Sequence, residues 1–325
     1  MAYQLITYKK ATDIPPLPGK NLFHSVELFR VFEQTSGYKP LMIVTYENSV
    51  PKACLLAAVR KSVRWFPPSI IKRCEIYGSG EYFTDQHQEE IFGEMLQHLT
   101  RIVLNHCFLI EFRNLDNALF AYKYFRENNF FPINWLRIHN SLHSKTPEQR
   151  LSSSRKRQIK RALNNGATMH IAETEEEIRT FAKMLKKNYS SKIRKHFPGI
   201  NFFLLLVQQN TTKEIGKIFI IKFKEKIIGG SVCLFSNQNA YLWFSGGLRK
   251  SYPLQYPGIL AVWKALLYAY DHGYQHMEYM DVGLPFKQHG YRDFILRFGG
   301  AQYSTRRWFR FRWNWLNRLL TNFYI

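Results

Sequence analysis

Apolar positions recur with a period of two in several short runs of this chain and with a helical period in others. The clearest strand signal is PLMIVTYENSVPKACLLAAVRKS, residues 40–62, in which two β-rich runs flank the turn sequence ENSVP. The clearest helix signals are residues 174–193 and 256–273. The first opens with a threonine and a glutamate at capping-box spacing, and the second begins at Pro257 and stops at Gly273.

Both halves of the chain follow the same order of elements, which is strands, helix, strand, helix and strand. This order predicts an α/β (α+β) protein with two tandem domains of similar topology, each a mixed twisted sheet flanked by helices. A length of 325 residues also favours two domains over one. We place the N-terminal domain at residues 1–150 and the C-terminal domain at 151–325, joined around SKTPEQRLSSSR, residues 144–155.

Positive charge is concentrated in the second half. The whole chain has 46 Lys and Arg against 24 Asp and Glu, a net charge of +22. Residues 1–150 have 18 basic and 14 acidic side chains, so residues 151–325 have 28 and 10, a net of +18. This asymmetry indicates a polyanionic partner, which could be a nucleic acid, a phosphorylated substrate or an anionic membrane; solubility alone is the other interpretation.

Several common kinds of site leave a short motif, and those motifs are absent here. The sequence has no GxxxxGK[ST], HExxH or GxSxG, and its 11 histidines do not cluster at metal-ligand spacing. We therefore expect neither a metal nor a bound cofactor. The four cysteines are scattered, which predicts buried free thiols in a reducing compartment. No apolar leader or membrane-length run is visible, so we expect a cytoplasmic protein.

The basic charge has its densest cluster near the middle of the chain. Six Lys or Arg residues fall between Arg150 and Arg161, in a stretch that reads as a helix and contains no acid. Like charges spaced four apart on a helix repel, so a bound anion would stabilise this helix. We predict that phosphate or nucleic acid binds four of these side chains: Arg155, Arg157, Lys160 and Arg161. A merely solvated face is the alternative.

The last twenty residues, RRWFRFRWNWLNRLLTNFYI, contain five arginines and seven aromatic residues. They predict a strand followed by a helix, whose apolar face carries Trp315, Leu316, Leu319, Leu320 and Phe323. Three interpretations stay open. The helix could simply dock on its own domain, lie on an anionic membrane, or help to form an arginine-aromatic groove for single-stranded nucleic acid.

Read in order, the second half resembles the Fem family of peptidoglycan aminoacyltransferases and its wider acetyltransferase-like relatives. The resemblance is carried by SSSRKRQIKRALNNGATMHIAET, by the segment from GGSVCLF to HMEYMDVG, and by FILRFGG, and it covers about residues 150–300. It implies two GNAT-like domains packed in tandem. It also implies transfer of an aminoacyl group from aminoacyl-tRNA to an amine of a cell-wall precursor, with tRNA and a pyrophosphate- or lipid-linked envelope precursor as partners at the inner membrane face.

The same resemblance leaves the donor open between aminoacyl-tRNA and acyl-CoA. GNAT enzymes that use acyl-CoA hold its pyrophosphate on a Q/R-x-x-G-x-G/A loop before a helix, where free N–H groups meet the anion. The corresponding stretch here is LRKSYPLQYPG, with one glycine and two prolines. This pattern weakens the acyl-CoA interpretation, although Arg249 and Lys250 could supply the positive charge.

One position departs from the Fem pattern. These enzymes carry Phe-Lys before x-x-Phe-Gly-Gly, and that lysine is thought to stabilise the charge that develops on the carbonyl oxygen. Here Phe294 is followed by Ile295, which cannot do so. We therefore name Lys287 or Arg297 as the substitute. The alternatives are a different acceptor, or a non-catalytic member of the fold that binds RNA or a lipid head group.

The resemblance and the predicted strand ends together suggest the remaining site residues. Asp281 ends the strand YQHMEYMDVG and would act as general base or orient the substrate amine, or else merely form a turn. Five aromatic residues would contact the substrate: Tyr241, Trp243, Tyr252, Tyr256 and Phe294. The function that follows is N-acyl or aminoacyl transfer to an amine of an envelope or related precursor, with an acyl-CoA-dependent N-acetyltransferase as another alternative.

Overall fold

The computed structural model describes residues 3–61, 72–115, 117–189, 197–208 and 214–324. The strands in chain order are β1 Gln4–Tyr8, β2 Tyr38–Glu47, β3 Val50–Lys61, β4 Lys72–Tyr77, β5 Glu81–Tyr82, β6 Leu109–Arg113, β7 Phe131–Ser141, β8 Thr168–Ile171, β9 Gly216–Phe223, β10 Lys226–Ser236, β11 Asn239–Gly247, β12 His276–Tyr279 and β13 Ala301–Phe311. The helices are α1 Val26–Gln34, α2 Gln88–Val103, α3 Tyr122–Glu127, α4 Pro147–Arg150, α5 Ser153–Asn164, α6 Glu175–Asn188, α7 Ile200–Gln208, α8 Pro257–Asp271, α9 Gly290–Leu296 and α10 Asn314–Tyr324.

The chain divides into two compact units. Unit 1 is Met1–Trp135 together with Ser304–Ile325, and unit 2 is Leu136–Tyr303. This division differs from the predicted boundary after residue 150. The segment predicted as a linker, 144–155, carries α4 and the start of α5 within unit 2, and the C-terminal strand and helix belong with the N-terminal sequence.

Unit 1 is built on a mixed sheet. Its strands run in the order β1, β2, β3, β4, β6 and β13, with β4 and β6 parallel and the other pairs antiparallel. The predicted hairpin of residues 40–62 is confirmed as β2 and β3, although Ser62 lies outside the described residues. Helices α2 and α3 cover one face of this sheet with a core that includes Phe92, Phe112 and Trp308. Helix α1 packs against β2.

Unit 2 repeats this architecture. Its strands run in the order β7, β12, β11, β10, β9 and β8, with β11 and β12 parallel and the other pairs antiparallel. One face packs against α8 and the other against α6 and α7. The mixed α/β architecture predicted from the sequence is therefore confirmed. So are the capping box of Thr174 and Glu177 and the start of α8 at Pro257.

The state of the cysteines and the character of the helices also bear on the sequence predictions. The four cysteines are free and buried, as expected from their scattered positions in apolar stretches. Within the described ranges, no helix combines the length and the apolar character that crossing a bilayer requires.

Candidate active site

Strands β11 and β12 separate in the middle of the unit 2 sheet. They pair only from Asn239 to Leu242 on β11, opposite His276 to Tyr279 on β12. Beyond these residues β11 follows β10 as far as Gly247. The chain after β12 instead follows β7, because the Leu136 N–H donates to the Gly283 carbonyl at 3.1 Å. The two diverging segments leave an opening beside residues 243–247 of β11, where β12 no longer runs alongside.

A β-bulge lies where this separation begins. Val232 of β10 pairs with Phe244 and Cys233 pairs with Leu242, so Trp243 is the extra residue on β11. A bulge bends its strand and increases the local twist, which turns the end of β11 away from its former partner. The Trp243 ring packs edge-on against Phe202 of α7, with ring centroids 5.5 Å apart, and this contact fixes the bend.

Four polar side chains gather beside the opening. The Ser245 hydroxyl of β11 lies 3.4 Å from the Tyr291 hydroxyl of α9, and the Tyr189 hydroxyl donates to the Ser245 carbonyl at 3.1 Å. Asp281, just past the end of β12, is exposed and close enough to act electrostatically on both tyrosines. Burial raises the pKa of Tyr189 to about 12, and Asp281 adds to the shift. The pKa of Tyr291 is raised by burial and by the charges of Tyr189 and Asp281, so Tyr291 stays a neutral proton donor at physiological pH.

The N-terminus of α8 is held tightly against the end of β11. A Cβ on Gly247 would lie 2.5 Å from the Gly258 nitrogen, and one on Gly229 of β10 would lie 2.9 Å from the Pro257 Cβ. Both strands therefore need glycine where the helix begins. Gly258 itself has open space around it, and it is the first residue of α8 with an N–H, since Pro257 has none.

Arg155 was predicted to bind phosphate on the surface, and the structure contradicts this. Its side chain is only 2% exposed. Its guanidinium lies 4.7 Å from the ring of Phe294 and 4.4 Å from that of Phe298, and it donates to the Phe294 carbonyl at 2.8 Å and to Gln158 at 3.0 Å. Burial, with a smaller effect of nearby Arg297, lowers the pKa of Arg155 to about 10. Arg155 falls on the inner face of α5 and anchors α9.

The other predicted cationic residues lie at the surface. Arg157, Lys160 and Arg161 are exposed on the outer face of α5. Lys287 and Arg297 are exposed as well, Lys287 in the turn before α9 and Arg297 at its end. Their backbone carbonyls accept hydrogen bonds, from Arg292 to Lys287 and from Ser152 to Arg297. Their roles as catalytic or phosphate-binding residues stay predictions.

The predicted aromatic lining is divided between the two faces of the sheet. Tyr252 and Tyr256 pack against the core under α8. Tyr241 is buried on β11 next to Leu242, which belongs to that core, so alternation along the strand points Tyr241 to the opposite face. Trp243 faces α7. The structure therefore does not bring these four side chains into one cleft.

Ile295 and the glycines that follow it have structural roles. Ile295 is 0% exposed and lies in the core beneath α8. Gly299 has φ +85°, and a Cβ there would lie 2.3 Å from the Arg150 carbonyl; a Cβ on Gly300 would lie 2.5 Å from the Asn140 amide oxygen. The end of the FILRFGG segment is therefore a tightly packed turn, while Tyr291, at the start of the same helix, reaches the opening.

Sequence reasoning missed Ser245, Tyr291 and Tyr189. Ser245 lies in FSGG, where small residues at a strand end could have indicated a close approach to other groups. Tyr291 opens the segment YRDFILRFGG but matches no part of the family motif. Across the described ranges, no group of three or more His, Cys, Asp or Glu side chains could hold a metal ion.

Comparison with known proteins identifies the class of fold. Residues 153–288 match the family model of the acetyltransferase (GNAT) domain. None of the curated proteins matches the chain in sequence. The matched segment contains Ser245 and Asp281, and Tyr291 lies just beyond it.

Solved structures extend the likeness to the whole chain. A crystal structure of FemX has a TM-score of 0.62 at 12% identity, covering 94% of this chain and 95% of that one. A tandem GNAT protein from the clavulanic acid biosynthesis pathway has a TM-score of 0.60 at 10% identity, covering 96% and 99%. L-PGS from Bacillus licheniformis has a TM-score of 0.54 at 11% identity, covering 92% and 95%. The chain thus has a tandem GNAT-like fold.

Proposed function

We propose that this protein is an N-acyltransferase that transfers an acyl group to an amine at the opening between β11 and β12. The observation that carries the proposal is the separation of the two strands after Leu242 and Tyr279, with Ser245, Tyr291 and Asp281 gathered beside it. An acyl carbonyl placed there would lie against residues 243–247 of β11, beyond the pairing with β12. Backbone N–H groups there can stabilise an oxyanion.

The transfer needs a base that takes the amine proton, a group that stabilises the negative oxygen and an acid that protonates the leaving group. The residues beside the opening can supply all three. Asp281 takes a proton from the attacking amine, which then forms the new C–N bond with the acyl carbon. Backbone N–H groups of β11 stabilise the negative oxygen. Ile295 cannot do so, because its side chain is aliphatic and buried. Tyr291 gives its proton to the leaving group as the old C–S or C–O bond breaks. Attack is direct, because among the described residues no activated nucleophile lies beside the opening to form a covalent intermediate.

Acyl-CoA is the donor that the site fits best. The GNAT domain match, the close seating of α8 on Gly247 and Gly229, and the open space at Gly258 support a pyrophosphate beside the start of α8. Arg249 and Lys250 are exposed on the turn that precedes this helix and would add positive charge. This donor assignment goes beyond the sequence, in which two prolines in the loop argued against CoA.

Aminoacyl-tRNA is the second candidate donor. It is favoured by the exposure of Arg157, Lys160 and Arg161 along one helix, which presents a row of cations to a polyanion. In either case the acceptor would be an amine of a cell-envelope or related precursor. The fold shared with FemX and L-PGS, at low identity, is the support for that acceptor class.

Calorimetric binding at physiological salt would separate the donors. Acetyl-CoA, CoA, aminoacylated bulk tRNA and deacylated tRNA would be titrated into the wild-type chain. Two double variants serve as controls for each other, because each removes two exposed cations from unit 2. They are Arg249→Gln with Lys250→Gln, and Arg157→Ala with Arg161→Ala. Release of free thiol from acetyl-CoA in the presence of a panel of amines would measure turnover.

The expected result is acetyl-CoA binding that weakens about tenfold in the first variant and is unchanged in the second, together with amine-dependent thiol release. A preference for aminoacylated over deacylated tRNA, lost only in the second variant, would replace acyl-CoA by aminoacyl-tRNA. Binding without turnover of either donor would contradict acyl transfer and favour a non-catalytic anion-binding protein.

A further inference from the structure

The C-terminal helix α10 of unit 1 has one face docked and the other exposed. Asn317 fixes the docked side, because its amide oxygen accepts from the Phe311 N–H at 2.7 Å and its amide nitrogen donates to the Phe311 carbonyl at 2.8 Å. The exposed side carries Trp315, Leu319 and Phe323, spaced four residues apart and exposed by 64%, 47% and 76%. Large apolar side chains aligned in this way mark an interaction surface rather than ordinary scatter.

The sequence around this helix has positive charge and no negative charge. No acidic residue follows Asp293. Arg318 lies on α10 itself, and Arg312 is exposed just before it. An apolar stripe of tryptophan, leucine and phenylalanine beside arginines is the composition of helices that lie in the interface of an anionic membrane.

A small cavity adjoins the same helix. It has a volume of about 160 Å³ and lies between the end of α3 and α10. Two arginines line it, Arg126 and Arg318, with hydrogen-bonding groups from Asn129, Thr321 and Asn322. Since a water takes about 30 Å³ of liquid, the space holds several waters or one phosphate group. Guanidinium groups with amide and hydroxyl groups are the donors that bind a phosphate.

We propose that α10 and this cavity form an anionic-lipid site, in which Trp315, Leu319 and Phe323 enter the membrane interface and Arg126 and Arg318 bind a lipid phosphate. Arg126 also donates to the Phe130 carbonyl at 3.4 Å, and among the described residues neither Arg126 nor Arg318 forms an ion pair with an acidic side chain. A helix of 11 residues is about 16 Å long, which suits lying in the interface and is too short to span a bilayer.

The proposal does not depend on acyl transfer, and its test requires no turnover. The full chain would be sedimented with vesicles of phosphatidylcholine alone and with vesicles in which about a third of the lipid is phosphatidylglycerol. The apolar variant is Trp315→Ser with Phe323→Ser, and its matched control is Phe286→Ser in unit 2, since Phe286 is 75% exposed. The cavity variant is Arg126→Gln with Arg318→Gln, and its charge control is Lys9→Gln with Lys10→Gln, two exposed cations of unit 1.

We expect binding to the phosphatidylglycerol vesicles that weakens with salt, and little binding to phosphatidylcholine. The apolar variant should lose more than tenfold in affinity, and the cavity variant about fivefold for each arginine, while both control variants bind like wild type. Inorganic phosphate should compete only weakly, because it lacks the apolar contacts. Far-UV circular dichroism and the melting temperature would confirm that each variant is folded.

Several results would overturn this assignment. One is equal binding to both kinds of vesicle, and another is unchanged binding in the apolar variant. A third is self-association in ultracentrifugation that the apolar variant abolishes, because the face would then cover a second copy of the chain. Tight binding of a single-stranded RNA oligonucleotide, lost in the same variant, would assign the face to nucleic acid. If the apolar variant fails to fold, two comparisons still test the proposal. They are wild-type binding to the two kinds of vesicle, and binding of the cavity variant against its charge control.

Discussion

The guanidinium of Arg155 lies 4.7 Å from the ring of Phe294 and donates to the Phe294 carbonyl at 2.8 Å. This contact ties α5 to α9, the helix that carries Tyr291. Replacing Arg155 with Gln should lower the free energy of unfolding by about 2–4 kcal/mol, because a buried charge-assisted hydrogen bond and a cation–π contact are lost. Urea unfolding would measure this. The exposed neighbour Arg157→Gln should stay within about 0.5 kcal/mol of wild type, and equal effects of the two changes would refute the anchoring role.

Restoring the Fem lysine at position 295 should not restore a catalytic group. Ile295 is buried in the core under α8, so Ile295→Lys would place an ammonium group in an apolar environment. Its pKa would have to fall by about three units to be neutral at pH 7, which costs about 4 kcal/mol. Thermal unfolding should show a large loss, whereas Ile295→Met should cost less than about 1.5 kcal/mol. A fully stable lysine variant would mean that this side chain can reach solvent.

Gly247 at the end of β11 and Gly258 at the start of α8 should differ in their tolerance of alanine. Gly247→Ala would bring a Cβ to 2.5 Å from the Gly258 nitrogen, so the helix or the strand must shift. We expect a destabilisation of about 1–3 kcal/mol and weaker acetyl-CoA binding. Gly258→Ala meets nothing within 4 Å, so the protein should stay as stable as wild type. If acetyl-CoA approaches this helix closely, Gly258→Ala will nevertheless weaken its binding in calorimetry.

The polar groups at the strand opening should affect rate more than substrate binding. Asp281→Asn removes the proposed base and should reduce kcat by about 10²–10⁴, with KM changed little. Tyr291→Phe removes the proposed proton donor and should lower kcat about 10²-fold, whereas Tyr270→Phe on the exposed side of α8 should not. Because the pKa of Tyr291 is raised, activity should not fall through its ionisation between pH 6 and about 10. Full activity in Asp281→Asn would remove Asp281 from the mechanism.

Acid stability should depend on a buried charge cluster in unit 1. Glu111 accepts hydrogen bonds from Arg73 at 2.9 Å, Arg113 at 2.9 Å and Arg307 at 3.0 Å. Burial alone would raise the pKa of Glu111, but Arg113, Arg307 and Arg73 outweigh burial and lower it to about 2.

A carboxyl with a depressed folded pKa stabilises the protein above its unfolded pKa of about 4.3 and loses that contribution as the pH falls towards 2. Glu111→Gln should therefore reduce stability at pH 7 by about 3 kcal/mol and flatten the pH dependence between about 4.5 and 2. The exposed Glu89→Gln on α2 is the control. Urea midpoints measured across this pH range would test the prediction, and parallel curves for wild type and Glu111→Gln would contradict it.

Local sequence patterns predicted many of the helices and strands in their correct order, although not α1 or α7. Thr174 with Glu177 marks the start of α6, and Pro257 marks the start of α8, because capping and proline geometry act within a few residues of the chain. Apolar and β-rich runs likewise predicted several strands of both sheets, including β2 and β3, but not β1 or β8. These signals are local, and the computed structural model confirms them.

Tertiary packing determines which residues of these elements come into contact and which are buried. Ser245 and Tyr291 are 46 residues apart in sequence, and they meet only because β11 bends away from β12. Arg155 and Arg157 look alike in the sequence, but packing of α5 buries the first and exposes the second. The C-terminal strand β13 joins the sheet of unit 1 after the whole of unit 2 has intervened. Each of these outcomes depends on which distant surfaces pack together, and a pattern of neighbouring residues does not encode that choice.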